Sequence, residues 1–285
     1  MNETLYNAKS IKVLLEEHGF RFSKSMGQNF IIDSAIPEKI VMLSGIDHSC
    51  GVLEVGPGLG ALTSVLSREA GRVTAVELDA RLLPMLRETL AASANVEIIQ
   101  GDILKINIAE LVNKKMPDMI HHVCANLPYN ITTPVLAAFI EAGVFKTITV
   151  MVQREVAGRI CAIPGKPDYG AFTVYVNYHS VPEILFDISP ESFIPRPKVF
   201  SSVVKLEMRS EQLPIPVDEA VFFRVVRAAF GQRRKTLVNA LHIAYGSTMQ
   251  KDDIENIVRR CGFDTRVRGE TLGIEEFARL SAFFS

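Results

Sequence analysis

From about residue 50 to 153 the chain alternates short, β-rich apolar runs with segments whose apolar residues recur at helical spacing. The runs "GVLEVG" (51–56), "RVTAVEL" (72–78), "NVEIIQGD" (95–102), "HHVCAN" (121–126) and "TITVMVQ" (147–153) predict strands. Between them "ALTSVLSREA", "ARLLPMLRETLAAS" and "TPVLAAFIEAG" predict helices. Pro84 belongs to a first turn, because inside a helix its ring would remove a hydrogen bond and clash with the preceding turn. Strands that alternate with helices pair in parallel, each helix returning the chain to the same end of the sheet. The pattern is that of a doubly wound α/β fold.

After residue 170 the rhythm changes. "AFTVYVNYHSVPEILFDIS" (171–189) and "SSVVKLEM" (201–208) read as strands without intervening helices, flanking the proline-rich turn "SFIPRPKVF". Antiparallel strands appended to one side of the parallel sheet are expected. "RSEQLPIPVDE" (209–219) has two prolines, polar residues and no periodicity, which marks a linker and places a domain boundary near 210. The expected division is a catalytic domain over 1–210 and a smaller helical domain over 211–285. In the latter, Asp218 caps a helix running to Phe230, Gly231 ends it, and a second helix resumes around Arg233.

Composition narrows the partners. With 285 residues and 48% hydrophobic content the chain can bury a large core, and 31 Lys+Arg against 32 Asp+Glu give no bulk attraction to nucleic acid or membrane. Any such partner must be met by a local patch. Cys50, Cys124, Cys161 and Cys261 form neither a CxxC pair nor a cluster at zinc spacing, so no metal and a reduced, cytoplasmic setting are expected. The N-terminal stretch "MNETLYNAKSIKVLLEEHGF" contains acids and no continuous apolar run, and no segment approaches the ~18 apolar residues of a membrane span.

The candidate chemistry lies at the strand ends. "EVGPGLGALT" puts Gly56, Gly58 and Gly60 in the turn between the first strand and its helix, where glycine lets the backbone approach a ligand. Glu77 ends the next strand, 21 residues after Gly56, in position to accept hydrogen bonds from the two hydroxyls of a ribose. The glycine turn alone would serve structure as readily as binding; with the carboxylate it marks a site for an adenosine-containing cofactor. The spacing is GxGxG, not the GxGxxG of dinucleotide sites, and suits a ligand with no pyrophosphate at the helix start. S-adenosylmethionine is favoured over a nicotinamide cofactor. Asp102 in "IIQGDIL" supplies another acid at a strand end, either accepting from the adenine amino group or simply capping the next segment.

The fourth strand exits into "CANLPYNITTP" (124–134) and faces the same crevice. An exocyclic base amine is a poor nucleophile because its lone pair is delocalised into the ring. Two acceptors aimed at its hydrogens, the Asn126 side-chain oxygen and the Leu127 carbonyl, favour pyramidalisation and stabilise the charge that develops on nitrogen. Pro128 fixes the turn and Tyr129 offers a flat face to an extruded base.

In order along the chain, "GQNFI" (27–31), "EVGPGLG", "VELD", "GDIL", "NLPY" and "FIPRPKVFS" (193–201) resemble the ribosomal RNA adenine dimethylases, from about residue 20 to the C-terminus. The resemblance implies a Rossmann-like S-adenosylmethionine-dependent methyltransferase sheet with a small C-terminal helical domain. It implies that Asn29 and Ile31 lie over the cofactor with Gly56, Gly58, Glu77, Asp102 and Asn126, and that Asn126, Leu127, Pro128 and Tyr129 surround the target amine. It also implies that Phe193 closes the other face of the adenine, although the residue alone reads equally as a core aromatic. The family reaction adds two methyls to each of two adjacent adenosines in a hairpin near the 3′ end of small-subunit RNA.

"FFRVVRAAFGQRRKTLVNALHIA" (222–244) brings together Arg224, Arg227, Arg233, Arg234 and Lys235, and residues 221–250 contain no Asp or Glu. This local basic patch in a neutral chain suits phosphate contacts on structured RNA. Lys24, Arg154, Arg196 and Lys198 are candidates to extend it. The expected partners are small-subunit ribosomal RNA and an immature 30S subunit, with the enzyme a monomer. The rival readings are a large-subunit RNA adenine methylase of the macrolide-resistance type, an assembly factor with secondary methylation, and a nicotinamide-dependent oxidoreductase. The last has no assignable hydride-transfer partner.

Overall fold

The computed structural model describes residues 3–22, 27–210 and 218–284. Lys24 and most of the proline-rich linker lie outside the described residues. In chain order the elements are α1 (Ala8–Glu17), β1 (Phe30–Ile31), α2 (Ala35–Ser44), β2 (Cys50–Val55), α3 (Ala61–Glu69), β3 (Arg72–Glu77), α4 (Leu83–Thr89), β4 (Val96–Gln100) and α5 (Ile108–Lys115). There follow β5 (Ile120–Asn126), α6 (Thr132–Ala142), β6 (Thr147–Gln153), α7 (Arg154–Ile160), α8 (Ala171–His179), β7 (Ser180–Ile188), β8 (Phe193–Ile194) and β9 (Ser201–Met208). The chain ends in α9 (Glu219–Gly231), α10 (Leu237–Tyr245), α11 (Lys251–Arg260) and α12 (Ile274–Ser281).

Residues up to Ala157 together with Glu183–Met208 form one compact unit; Gly158–Pro182 and the chain from Arg209 form the other. The first is built on a seven-stranded sheet of order β4-β3-β2-β5-β6-β9-β7. Strands β2 to β6 pair in parallel, with Val52 opposite Val73, Leu53 opposite Val123 and Asn126 opposite Met151. β9 runs antiparallel to β6, closing with Gln153 opposite Ser201. The fold is thus α/β and Rossmann-like, with a mostly parallel sheet.

Every residue of β2 is buried, as a central strand covered on both faces requires. One cluster packs Ile40 and Val41 of α2 and Val65 and Leu66 of α3 with Val52 and Val73; another joins Ile11 and Leu14 of α1 to Met85 and Leu86 of α4. Each such side chain contributes roughly 1.5–3 kcal/mol by leaving water. The strand order reverses between β2 and β5, which opens a crevice at their C-terminal ends, the ligand position of open α/β sheets.

Two sequence expectations are corrected. The strand foreseen over 171–189 divides, and Ala171–His179 is the helix α8. Its aromatic and β-branched composition favours a strand, yet Phe172 stacks on Tyr175 with centroids 6.2 Å apart and Tyr175 meets His179 at 4.9 Å, pairs made at helical spacing. Thr173 Oγ1 also accepts from the Gly170 N–H at 3.1 Å, closing the first turn. The second helix of the C-terminal unit begins later than foreseen. Thr236 caps α10 by accepting the Asn239 N–H at 3.4 Å, so Arg233, Arg234 and Lys235 occupy the turn before it.

Candidate active site

The crevice holds a cavity of about 250 Å³, lined by the turn after β2, the ends of β3 and β5, the segment 101–103 and the strap 27–31. Gly56, Gly58 and Gly60 all have positive φ, at 68°, 63° and 89°. At Gly58 the positive φ favours glycine, and a Cβ would also crowd the Phe30 ring at 3.1 Å. The Gly56 N–H donates to the Val76 carbonyl at 3.0 Å, which ties the turn to β3.

Glu77 is buried at the end of β3, and its Oε1 accepts the Asp79 N–H at 2.8 Å. Burial pushes its carboxyl up to about 7, against the opposing pull of the Asp79 and Gly58 backbone N–H groups. Glu54, one residue before Val55, also lines the cavity and is buried; burial, reinforced by the Glu77 charge, pushes it up to about 8. Its Oε2 has no hydrogen-bond partner among the described residues. A buried acceptor in this position fits a cationic or N–H-bearing part of a ligand, and Glu77 fits ribose hydroxyls. These acceptors therefore suit a nucleoside carrying a charged amine.

Asp102 lines the same cavity while capping the turn that follows: its Oδ1 accepts the Leu104 N–H at 3.1 Å and its Oδ2 lies 3.5 Å from Lys105 Nζ. Asn29 and Ile31 also line the cavity. Gln28 donates from Nε2 to Asp79 Oδ2 at 2.8 Å, and Asp79 is gripped through both oxygens by Arg81 at 2.8 and 2.6 Å. The Arg81 guanidinium is the main cause holding the Asp79 carboxyl below the usual range.

Asn126 ends β5 with its Nδ2 donating to the Asn29 carbonyl at 3.3 Å. The amide is thereby oriented by its N–H, and its oxygen is the atom left for an incoming donor. The Leu127 N–H continues the ladder to Met151 O at 3.2 Å, and its side chain is buried. The Pro128 carbonyl accepts the Ile131 N–H at 3.2 Å, closing the turn into α6. Tyr129 O–H pairs with Ser201 Oγ at 2.6 Å, fixing the ring to the start of β9. Asn126, Leu127, Pro128 and Tyr129 all border the cavity. Phe193 is placed differently. It pairs with Ile31 across the β1–β8 ladder, is 3% exposed, and packs in the core instead of on the cavity wall.

In the second unit Arg224 and Arg227 are exposed on α9 at i, i+3 spacing, and Arg234 and Lys235 are exposed in the following turn. Arg233 is committed within its own unit: it donates to the Pro167 and Tyr169 carbonyls at 2.8 and 3.2 Å and lies 3.5 Å from Glu270. Among the described residues no group of His, Cys, Asp or Glu could hold a metal ion, and no helix is long and apolar enough to cross a membrane.

Sequence reasoning missed Glu54 and the Gln28–Asp79 contact. The signal for Glu54 was present, an acid inside the apolar run "GVLEVG" with no evident solvent exposure. Nothing local marks Gln28 as the partner of Asp79.

The family model described as ribosomal RNA adenine dimethylase matches residues 19–280. The chain belongs to the ribosomal RNA adenine dimethylase family. A relative from Shouchella clausii described as ribosomal RNA small subunit methyltransferase A is 42% identical over 283 residues, 99% of this chain and 96% of its own length. A solved dimethyladenosine transferase from Plasmodium falciparum superposes with a TM-score of 0.74 at 24% identity, over 89% of this chain and 96% of that one. A solved 23S rRNA methyltransferase, ErmE, gives a TM-score of 0.68 at 25% identity, over 89% of this chain and 98% of that one. As a ribosomal RNA adenine dimethylase, the protein is an enzyme that uses S-adenosylmethionine to methylate adenines of ribosomal RNA.

Proposed function

We propose that this dimethylase adds two methyl groups to the exocyclic amine of each of two adjacent adenosines in the 3′-terminal hairpin of small-subunit (16S) ribosomal RNA. It acts on an immature 30S subunit, as a monomer, in the cytoplasm. Similarity favours the small subunit: the near-full-length relative at 42% identity is described as a small-subunit enzyme, whereas the 23S enzyme stands at 25%.

The observation that carries the catalytic reading is the Asn126 amide, held by the Asn29 carbonyl at 3.3 Å with its oxygen left over at the cavity. That oxygen and the Leu127 carbonyl accept the amine hydrogens of the target base, localising the nitrogen lone pair and stabilising the charge that develops on it. Chemistry on a base requires its extrusion from the stack, and Tyr129, anchored through Ser201, supplies the face that receives it. With Phe193 in the core, Tyr129 is the ring on which the reading relies. After the first transfer one acceptor loses its hydrogen, so the site must also admit a monomethylated amine.

Gly56, Gly58, Glu77 and Asp102, with Asn29, Ile31 and Asn126, would hold the cofactor, which supplies a methyl already activated by its sulfonium. Glu77 accepts from ribose, and Gly58 allows close approach of the backbone. Arg224, Arg227, Arg234 and Lys235 contact RNA phosphates, with Arg233 bracing their turn.

Incubation with radiolabelled S-adenosylmethionine and small subunits lacking the modification tests the assignment. Label on two neighbouring adenosines of small-subunit RNA is expected. Label confined to large-subunit RNA would defeat the substrate assignment, and no label on either would favour an assembly factor.

A further inference from the structure

One exposed aromatic lies beside the site without a role in it. Phe200 is 41% exposed and its neighbour Val199 is 43% exposed, immediately before β9. The Arg154 guanidinium lies over the Phe200 ring, 4.7 Å from its centroid. The Arg154 N–H donates to the Phe200 carbonyl at 3.0 Å, so the two residues add one further rung beyond the Gln153–Ser201 pair that ends the β6–β9 ladder. Ser201 is the residue that holds the Tyr129 hydroxyl at 2.6 Å. A single peptide unit, about 3.8 Å between Cα atoms, therefore separates Phe200 from Ser201 at the same end of the sheet, with the two side chains on opposite faces of the ladder. Lys198, two residues upstream, is exposed as well.

We propose that the Arg154–Phe200 pair is a stacking platform for the RNA base next to the extruded adenosine. The inference rests on the RNA adenine reading above and adds a subsite to it. A phenyl ring carrying a guanidinium presents a flat, cationic surface. Nucleobases stack on aromatic rings and on guanidinium planes alike, and the phosphate joining the two nucleotides meets the positive charge of Arg154 and Lys198. Extruding one base removes a stacking partner from its neighbour, and a platform at the same strand end, on the face opposite Ser201, receives that neighbour as the two bases splay apart.

The test uses the full-length enzyme and two small-subunit hairpins, each carrying 2-aminopurine on one side of a target adenosine. Wild type should quench or shift the fluorescence of one probe on binding. Phe200→Ala should lose that change and raise the KM for RNA about tenfold, the size of one base–aromatic stack. Its cofactor affinity, melting temperature and kcat at saturating RNA should stay within about twofold of wild type. Phe200→Leu should behave like the alanine variant and Phe200→Tyr like wild type, because the ring and not its apolar volume carries the effect. Wild-type RNA KM and fluorescence response in Phe200→Ala, or full rescue by leucine, overturns the platform while leaving the substrate reading intact. Absence of RNA labelling by wild type sinks both.

Discussion

Glu77 allows a quantitative test of how the ribose end of the cofactor is held. Its carboxyl is raised to about 7 because burial penalises the charged form, whereas ribose hydroxyls bond best to the carboxylate. Binding should therefore strengthen as pH rises through 7. With a midpoint there, the ionised fraction is roughly nine tenths at pH 8 and one tenth at pH 6, so affinity should fall about tenfold between them, or about 1.4 kcal/mol. The probe should be 5′-methylthioadenosine, which keeps adenine and ribose but lacks the amino acid, so that no titrating ligand amine enters the profile. Calorimetric titration from pH 5.5 to 8.5 gives the curve. Glu77→Gln should bind more weakly at pH 8 and show a flat profile. A wild-type affinity independent of pH, or an unchanged slope in Glu77→Gln, refutes the assignment of Glu77 to the ribose.

The same shifts bear on folding with a definite sign. Glu54 and Glu77 keep their protons in the fold up to about 8 and about 7, well above the value of 4.5 in an unfolded chain. Their contribution is full below about 4.5 and is lost as pH rises through those folded values, a loss on the order of a few kcal/mol. The ligand-free enzyme should melt at progressively lower temperature from pH 6 to 9, and Glu54→Gln should flatten the trend; a melting temperature that rises over this range contradicts the burial argument. Asn126→Ala should abolish methyl transfer while leaving cofactor affinity within about tenfold, or about 1.4 kcal/mol, and near-normal turnover would remove the amine acceptor from the mechanism. Arg234→Ala with Lys235→Ala should weaken binding to ribosomal RNA and lower the slope of log affinity against log salt by roughly one to two, since each phosphate contact contributes slightly less than one. An unchanged salt slope means that these side chains do not meet phosphate.

The strand ends were legible because buried parallel strands are near-continuous apolar runs. A glycine, glutamate or asparagine ending such a run must face the crevice outside the sheet, as Gly56, Glu77 and Asn126 do. Two kinds of feature were not legible. In Ala171–His179 local composition favours a strand, while aromatic pairs at helical spacing and burial of Thr173 and Val176, three residues apart, select a helix. In β1 and β8 two dipeptides far apart in sequence pair as Phe30 with Ile194 and Ile31 with Phe193, too short to leave a periodic signal. That pairing also explains Phe193: its ring is held in the core by a partner that no reading of "FIPRP" alone reveals.

The orientation of Asn126 is set by the same kind of long-range contact. Asn126 is oriented not by a side chain but by the Asn29 carbonyl, so its geometry depends on where the strap 27–31 runs. β1 fixes one end of the strap against β8, and Gln28 fixes the other through Asp79. Asp79 in turn donates its N–H to the Glu77 carboxylate, and its own charge is held by Arg81, which also covers the Phe20 ring at 4.9 Å. A continuous line of hydrogen bonds thus runs from the Glu77 carboxyl to Asp79 and Gln28, and the next residue of the strap presents the carbonyl that aims Asn126. Asn126 of "NLPY" therefore takes its orientation from "GQNF", which "VELD" anchors, and the three motifs form one connected structure although each is short.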